Sequence, residues 1–512
     1  MHSLLAAALA ADILLMGGRV LDGAGNPWIR ADVAIREDRI VFIGDARAAG
    51  VEARETADVG GLLVTPGLWD VHSHADLDTT EGRRALPLLY QGVTTVVLGI
   101  DGQGTNEIES VFAEYERNGI AVNALRYVGH GTARAAAMGS SFDRAASPEE
   151  IRAMKAYVER GMEQGAIGFS TGLAYNPGFY ATTEEVVELN RVASRYGGIY
   201  DTHDRDMGAS FRGVGFLASI EEAIVVAERG GTPLIFSHLG ALGREAHQKL
   251  DEVLARIESA RDRGVNVMAG QHVYTASASS FLAHALPRWV AGSVRGHLES
   301  AESWRRLERE IPEVLEMRGG PEKIVITEGP PEISGRTLAD IARGWGLPVP
   351  AAVRRIVLDH GEGVGDMNLD IYDPGDIRKL ARREWMMTCS DGIPPASASS
   401  YTHPRLYGAF SRKLRELAIE EGVITLPFAI RGMTSLPAGF SSVPDRGLLK
   451  PGFFADVAVF DQSRIRDLAT YEEPRRFSEG TVHILVNGRF AFRDGKPTGN
   501  LAGRPIPRPS KN

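Results

Sequence analysis

Apolar residues come in short runs at both ends of the chain. Within 12–64, ILLMGGRVLD, ADVAIRED and RIVFIGD are β-rich segments separated by Gly, Asn and Asp, the composition of strands joined by tight turns. The same texture returns at 455–461 (ADVAVFD) and 482–494 (VHILVNGRFAFRD). Between the two ends the period changes. Apolar runs at 93–99, 123–128, 166–170, 198–202, 234–237, 265–270 and 385–390 alternate with amphipathic stretches at 150–164, 184–196, 220–229 and 250–263. With the run that leads into His72, this makes eight strands. Strands alternating with helices predict a parallel sheet with helical crossovers. The rhythm breaks at about 286–380, where charged helical runs (299–316, 378–384) mix with Gly/Pro-rich turns (319–322, 329–335). That stretch predicts an insertion in the crossover between the seventh and eighth strands.

Composition narrows the classes. The 512 residues, 43% hydrophobic and 24% charged, suffice for a large core and more than one domain. A net charge of -9 and the lack of any basic tract disfavour polyanionic partners, so nucleic-acid binding is not expected. No run approaches the ~20 apolar residues of a membrane span. Cys389 is the single cysteine, so no intramolecular disulfide can form; this does not fix the compartment. LLAAALAA at 4–11 fits either the end of a signal-peptide apolar region, with an Ala-x-Ala site at Ala8 and Ala10, or a short helix. No Lys or Arg precedes it, and the compartment stays open between cytoplasm and export.

The candidate chemistry centres on LVTPGLWDVHSHADLD at 63–78. In an extended chain, residues i and i+2 share a face, so His72 and His74 present two imidazoles side by side. A lone His-x-His is more often a solvated loop. An apolar strand and Pro-Gly before it, and Asp76 and Asp78 after it, favour a metal-ligand pair suited to zinc and similar ions.

PGLWDVHSH resembles the first-strand signature of the amidohydrolase superfamily, metal-dependent hydrolases built on a (β/α)8 TIM barrel. STGLAYNPGFYATTEE (170–185), RYGGIYDTHDRD (195–206), FSHLGALG (236–243), CSDGIP (389–394) and HPRLYGAF (403–410) resemble the N-acyl-D-amino-acid deacylases, or D-aminoacylases. The resemblance runs in order over nearly the whole chain. It implies a barrel over 65–440 with the insertion before its last strand. It also implies a small β-sandwich made of both termini, 12–64 and 441–512.

In such barrels active groups sit at the C-terminal ends of strands. His72, His74, Asp101, His203, His238 and Asp391 all follow apolar runs directly. By resemblance, His72, His74, His203, His238 and Asp391 match metal-binding and catalytic positions, with Asp391 as the proton-transfer group. Tyr274, in HVYTASAS, matches a tyrosine that would donate to the oxyanion. Arg405 matches an arginine near the substrate carboxylate, and Tyr175 an aromatic wall of the same pocket. His130 reads as ordering the barrel mouth rather than binding metal.

Two positions depart from the family. Asp101 stands where the deacylases usually carry a cysteine ligand; a carboxylate can hold one metal or bridge two. Gly240 stands where a lysine near the substrate carboxylate is common. The fourth strand, AIGFST, has no lysine to carboxylate. The resemblance therefore implies a hydrolase of the linear amide of N-acyl-D-amino acids or related N-acyl amino acids, using one or two divalent ions, zinc foremost. The alternatives are a dipeptidase or a cyclic-amide hydrolase of the hydantoinase and dihydroorotase kind. Retention of Asp391 beside four histidines argues against a barrel reduced to binding.

Overall fold

The computed structural model describes residues 9–210, 213–287, 289–290, 293–395 and 401–509. Residues 4–8 of the candidate signal stretch lie outside these. Leu9–Ala11 are no helix: they open the first strand, Leu9–Val20, in parallel register with Val51–Ala53.

Strands from both ends share one nine-stranded sheet. Its order is Lys496–Pro497, Arg489–Arg493, Thr481–Val486, Val457–Phe460, Leu63–Pro66, Leu9–Val20, Ile29–Arg36 and Arg39–Gly44, with Val51–Asp58 beside Leu9–Val20. The seam between the ends is the antiparallel pair Leu63–Pro66 and Val457–Phe460. Leu15, Val33 and Ile35 meet Val457, Leu485 and Phe490 in one apolar core. The terminal halves therefore depend on each other for hydrogen bonds and for burial alike.

Pro66-Gly67 turns the chain from this sheet into the barrel. A Cβ on Gly67 would lie 2.2 Å from Thr94 Oγ1, so the close approach of the first two barrel strands needs glycine here. The barrel strands are Leu68–Asp70, Val93–Leu98, Asn123–Arg126 continued by Val128–Gly129, Gly168–Gly172, Ile199–His203, Leu234–Phe236 and Val267–Ala269. All neighbouring pairs are parallel. The eighth strand, 385–390, pairs through Met386 with Ala269. It closes the ring through the Asp391 N–H, which donates to the His72 carbonyl at 3.0 Å. Trp69, Val97, Leu125, Tyr127, Ile167, Ile199, Ile235 and Met387 fill the interior below the mouth, a packed plug rather than a pore. Covering helices start where capping residues put them. Pro148–Glu163 opens on a Ser147/Glu150 capping box, and Thr183–Arg195 on Thr182.

The insertion is a small α/β unit with its own apolar core, Phe281 to Val364. Ser277–Ser280, Gly365–Asn368 and Ile324–Glu328 form its antiparallel sheet. The helix Pro374–Ala381 instead buries Ile377 and Leu380 in the barrel core. The charged run at 378–384 could show a helix, not which core receives it. The tail also leaves the sheet domain. Gly503 N–H donates to Ile120 O at 2.8 Å, and Ile506 N–H to Ala124 O at 2.8 Å, strapping 503–506 along the third barrel strand.

Candidate metal centre

The strand-end histidines converge above the plug. His72 and His74 ring centroids are 5.5 Å apart. His238 stands 5.0 Å from His72 and 4.6 Å from His203. Two carboxylates complete the ring. Asp101 places Oδ1 3.5 Å from His72 Nε2 and Oδ2 3.5 Å from His74 Nε2. Asp391 Oδ1 lies 3.2 Å from His74 Nε2 and 3.5 Å from His72 Nε2, and its Oδ2 lies 3.9 Å from His238 Nε2. Asp101 and Asp391 each precede a glycine and adopt left-handed backbone, φ 56 and 49. Aspartate tolerates this conformation better than most residues.

The electrostatics of this cluster call for a cation. Burial disfavours an imidazolium at His72, yet Asp101 and Asp391 outweigh it and hold the ring well above its ordinary pKa. Burial pushes the Asp391 carboxyl up, but Arg405 and His238 prevail and hold it well below the carboxylate range. Burial drops His238 to about 3, which leaves a neutral imidazole ready to ligate. His203 Nδ1 faces the Asp204 carbonyl at 3.0 Å, a contact that orients the ring and leaves Nε2 for the site.

A divalent metal fits these residues. Nε2 of His72 and Oδ1 of Asp101, which face each other in the cluster, are buried without a hydrogen-bond partner. Atoms left so are costly unless something else satisfies them. Two triplets, His72–His238–Asp391 and His72–His74–Asp101, hold ligand atoms within 4.8 Å of one another. An imidazole and carboxylate donor set suits zinc and similar divalent ions.

The cluster opens into a cavity of about 530 Å³, which His74, Asp101, His203, His238 and Asp391 line on the barrel side and Leu282, Leu286 and Val290 on the insertion side. Tyr175 joins the wall, its ring 4.5 Å from His203. Arg405 opens the helix Arg405–Arg412 and also lines the cavity, with Nη1 2.6 Å from Asp391 Oδ2.

Tyr274 does not fit the oxyanion-donor role. It is buried, it does not line this cavity, and its hydroxyl donates to Asp467 Oδ2 at 3.0 Å, with Arg412 4.8 Å over its ring. The match supplied a chain position, and a carboxylate 193 residues away captures the hydroxyl. Tyr274→Phe should therefore keep kcat within about threefold, far from the ~10²–10³-fold loss of an oxyanion donor; steady-state kinetics check this.

His130 lies outside the cluster. Its Nε2 meets Glu185 Oε1 at 2.9 Å, and Arg134 Nη1 meets Glu185 at 2.5 Å, a buried network at the end of the third strand. Gly240 has a structural reason: a Cβ there would lie 2.4 Å from the Tyr372 ring, which occupies the space a side chain would need. His272 escaped the sequence reading. Its Nε2 is 3.5 Å from Arg405 Nη1, and burial brings its pKa down to about 3. Its place two residues before Tyr274, just past the seventh strand, was the available signal. His284 and Arg318 also line the cavity, from the insertion, and no local motif marks them.

A model of an amidohydrolase family matches residues 354–492. Over 521 aligned residues the chain is 34% identical to the D-aminoacylase of Alcaligenes xylosoxydans xylosoxydans, covering 97% of this chain and 98% of that protein. The chain belongs to the N-acyl-D-amino-acid deacylase family. Within this family, the N-acyl-D-glutamate deacylase of the same organism is 33% identical over 511 residues, covering 95% of each chain. A crystal structure of the N-acyl-D-glutamate deacylase from Bordetella bronchiseptica superposes with a TM-score of 0.82 at 31% identity, covering 98% of this chain and 100% of that one. That deacylase was complexed with zinc and a phosphonate mimic of the tetrahedral intermediate.

Proposed function

We propose that this deacylase hydrolyses the linear amide of N-acyl-D-amino acids at a divalent metal centre held by His72, His74, Asp101, His203, His238 and Asp391. The observation that carries this reading is the buried ring of imidazoles and carboxylates with unsatisfied ligand atoms at a cavity mouth. A divalent ion bound there, zinc foremost, supplies Lewis acidity that polarises the amide carbonyl and acidifies water. The chain's own residues do the rest. Asp391 takes the proton of the attacking water and returns it to the leaving amine. Arg405 binds the carboxylate of the amino acid, in the planar two-point geometry a guanidinium favours. The 2.6 Å contact of Arg405 with Asp391 supports a carboxylate site beside the proposed proton-transfer group. Tyr175 walls the pocket beside His203. The partner is thus a small molecule.

A panel of N-acetyl-D- and L-amino acids, dipeptides and hydantoins, assayed with zinc, cobalt or manganese, tests the reading. Hydrolysis confined to hydantoins or dipeptides would overturn it. Arg405→Ala should raise KM for N-acyl amino acids far more than for their carboxamides; equal losses on both would mean that Arg405 only supports the fold. Asp101→Ala should lower the metal content per chain measured by elemental analysis, since its two oxygens face His72 and His74 separately. Full metal occupancy in that variant would remove Asp101 from the ligand set.

A further inference from the structure

Asp70 ends the first barrel strand, Leu68–Asp70, two residues before His72. It is fully buried and does not line the cavity. Both its oxygens reach across the barrel seam to the residue before Asp391. Oδ1 accepts the Ser390 N–H at 2.8 Å, and Oδ2 accepts the Ser390 hydroxyl at 2.5 Å. That hydroxyl oxygen in turn accepts the Gly392 N–H at 3.1 Å. Asp391 itself donates its N–H to the His72 carbonyl at 3.0 Å. Three successive amides, 390 to 392, are thus tied to the strand end that carries Asp70 and His72.

The turn being held is a tight one. Asp391 sits at φ 49, a left-handed conformation that aspartate adopts more readily than most residues. Its carboxylate must meet His74 at 3.2 Å and Arg405 at 2.6 Å at once. A small rotation of the 390–392 backbone would swing it off both.

We infer that Asp70 is a positioning residue that sets the aim of Asp391, acting through the Ser390 hydroxyl. It touches neither substrate nor metal ligand side chains in this role. The carboxylate matters, because its two oxygens accept from the Ser390 N–H and the Ser390 hydroxyl at once, whereas an amide offers one acceptor oxygen. Asp70→Asn keeps one acceptor for the Ser390 N–H but presents an amide group to the Ser390 oxygen. Ser390→Ala removes the hydroxyl link and leaves the Asp70 bond to the Ser390 N–H.

The test uses the full-length, metal-loaded enzyme, with rates expressed per metal-loaded site on one N-acyl-D-amino acid. Asp70→Asn and Ser390→Ala should each lower kcat by about 10–100-fold, the range seen when partners that orient site residues are lost. KM should stay within about twofold, because ground-state binding is untouched. The double variant should lose no more than the worse single one, since both act through one contact. Ser390→Thr, which keeps the hydroxyl, should restore kcat. A purely structural role would instead lower the melting temperature or the metal content and leave kcat per loaded site unchanged. Single variants within about twofold of the parent in kcat, or losses that multiply in the double variant, would overturn the inference. Should Asp70→Asn fail to fold, unchanged kcat in Ser390→Ala overturns it alone. The inference rests on Asp391 as the proton-transfer group. Turnover retained in Asp391→Asn would refute that reading itself, whereas a dead Asp391→Asn beside normal Asp70 and Ser390 variants refutes only the positioning role.

Discussion

Asp391→Asn should bind metal and lose nearly all turnover. The amide keeps the shape of the carboxylate, so an oxygen can still face His72, His74 and His238, which lie 3.2–3.9 Å from Asp391. What it cannot do is take a proton from water and return it to the amine. A positioned general acid–base group typically contributes ~10²–10⁴-fold, and kcat should fall by that order. Metal content by elemental analysis should stay at the parent level. A variant within about threefold of the parent would assign proton transfer to another residue, since that loss lies well outside the range for such a group.

Removing the metal should have an equally large effect. His72 belongs to both ligand triplets and is fully buried. Dialysis against a chelator should bring hydrolysis to background, and zinc, cobalt or manganese should restore it. His72→Ala should lose metal and activity together, with no rescue by added ion. Thermal stability should drop on chelation as well, because a ligand at 1,000 times its Kd stabilises the folded state by about 4 kcal/mol. Undiminished turnover in a preparation shown to be metal-free would sink the metal mechanism. The donor set sharpens the expectation. With Asp101 as the proposed ligand the donors are nitrogen and oxygen alone, and cobalt or manganese should support a larger share of the zinc rate than at a cysteine-ligated centre.

Much of the architecture could be read before any coordinates. Seven of the eight apolar runs contain barrel strands, and the eighth, 385–390, joins the ring through the Met386–Ala269 bridge; Val93–Leu98, buried throughout, is the clearest instance of a run apolar enough to be covered on both faces. The ligand candidates could be read because a (β/α)8 barrel brings all its strand C-termini to one mouth. His72, His203 and His238, each at the end of a different strand run, come together in ring-centroid steps of 5.0 Å (His72 to His238) and 4.6 Å (His203 to His238).

Other features depended on partners distant in sequence, which no local pattern encodes. Tyr274 reads as a pocket residue until Asp467 takes its hydroxyl. Arg405 reads as a substrate arginine, and only the folded chain shows it paired with Asp391 and flanked by His272. Gly240 looks like a missing lysine until Tyr372 fills the space beside it. The charged run at 378–384 looks like part of the insertion until its helix, Pro374–Ala381, sends Ile377 and Leu380 into the barrel core.

By itself, then, the amino-acid order pointed to the strand runs, through hydrophobic period and where each apolar run stops, and to six candidate metal-side residues at their ends; the family resemblance supplied the barrel that brings those ends to one mouth. Tertiary structure alone decided that the Tyr274 hydroxyl turns to Asp467, that the Arg405 guanidinium meets Asp391, and that the Asp70 carboxylate bonds to Ser390. A hydrogen bond is won by whichever partner lies within about 3 Å at the right angle, and that competition is settled only when segments remote in sequence pack together.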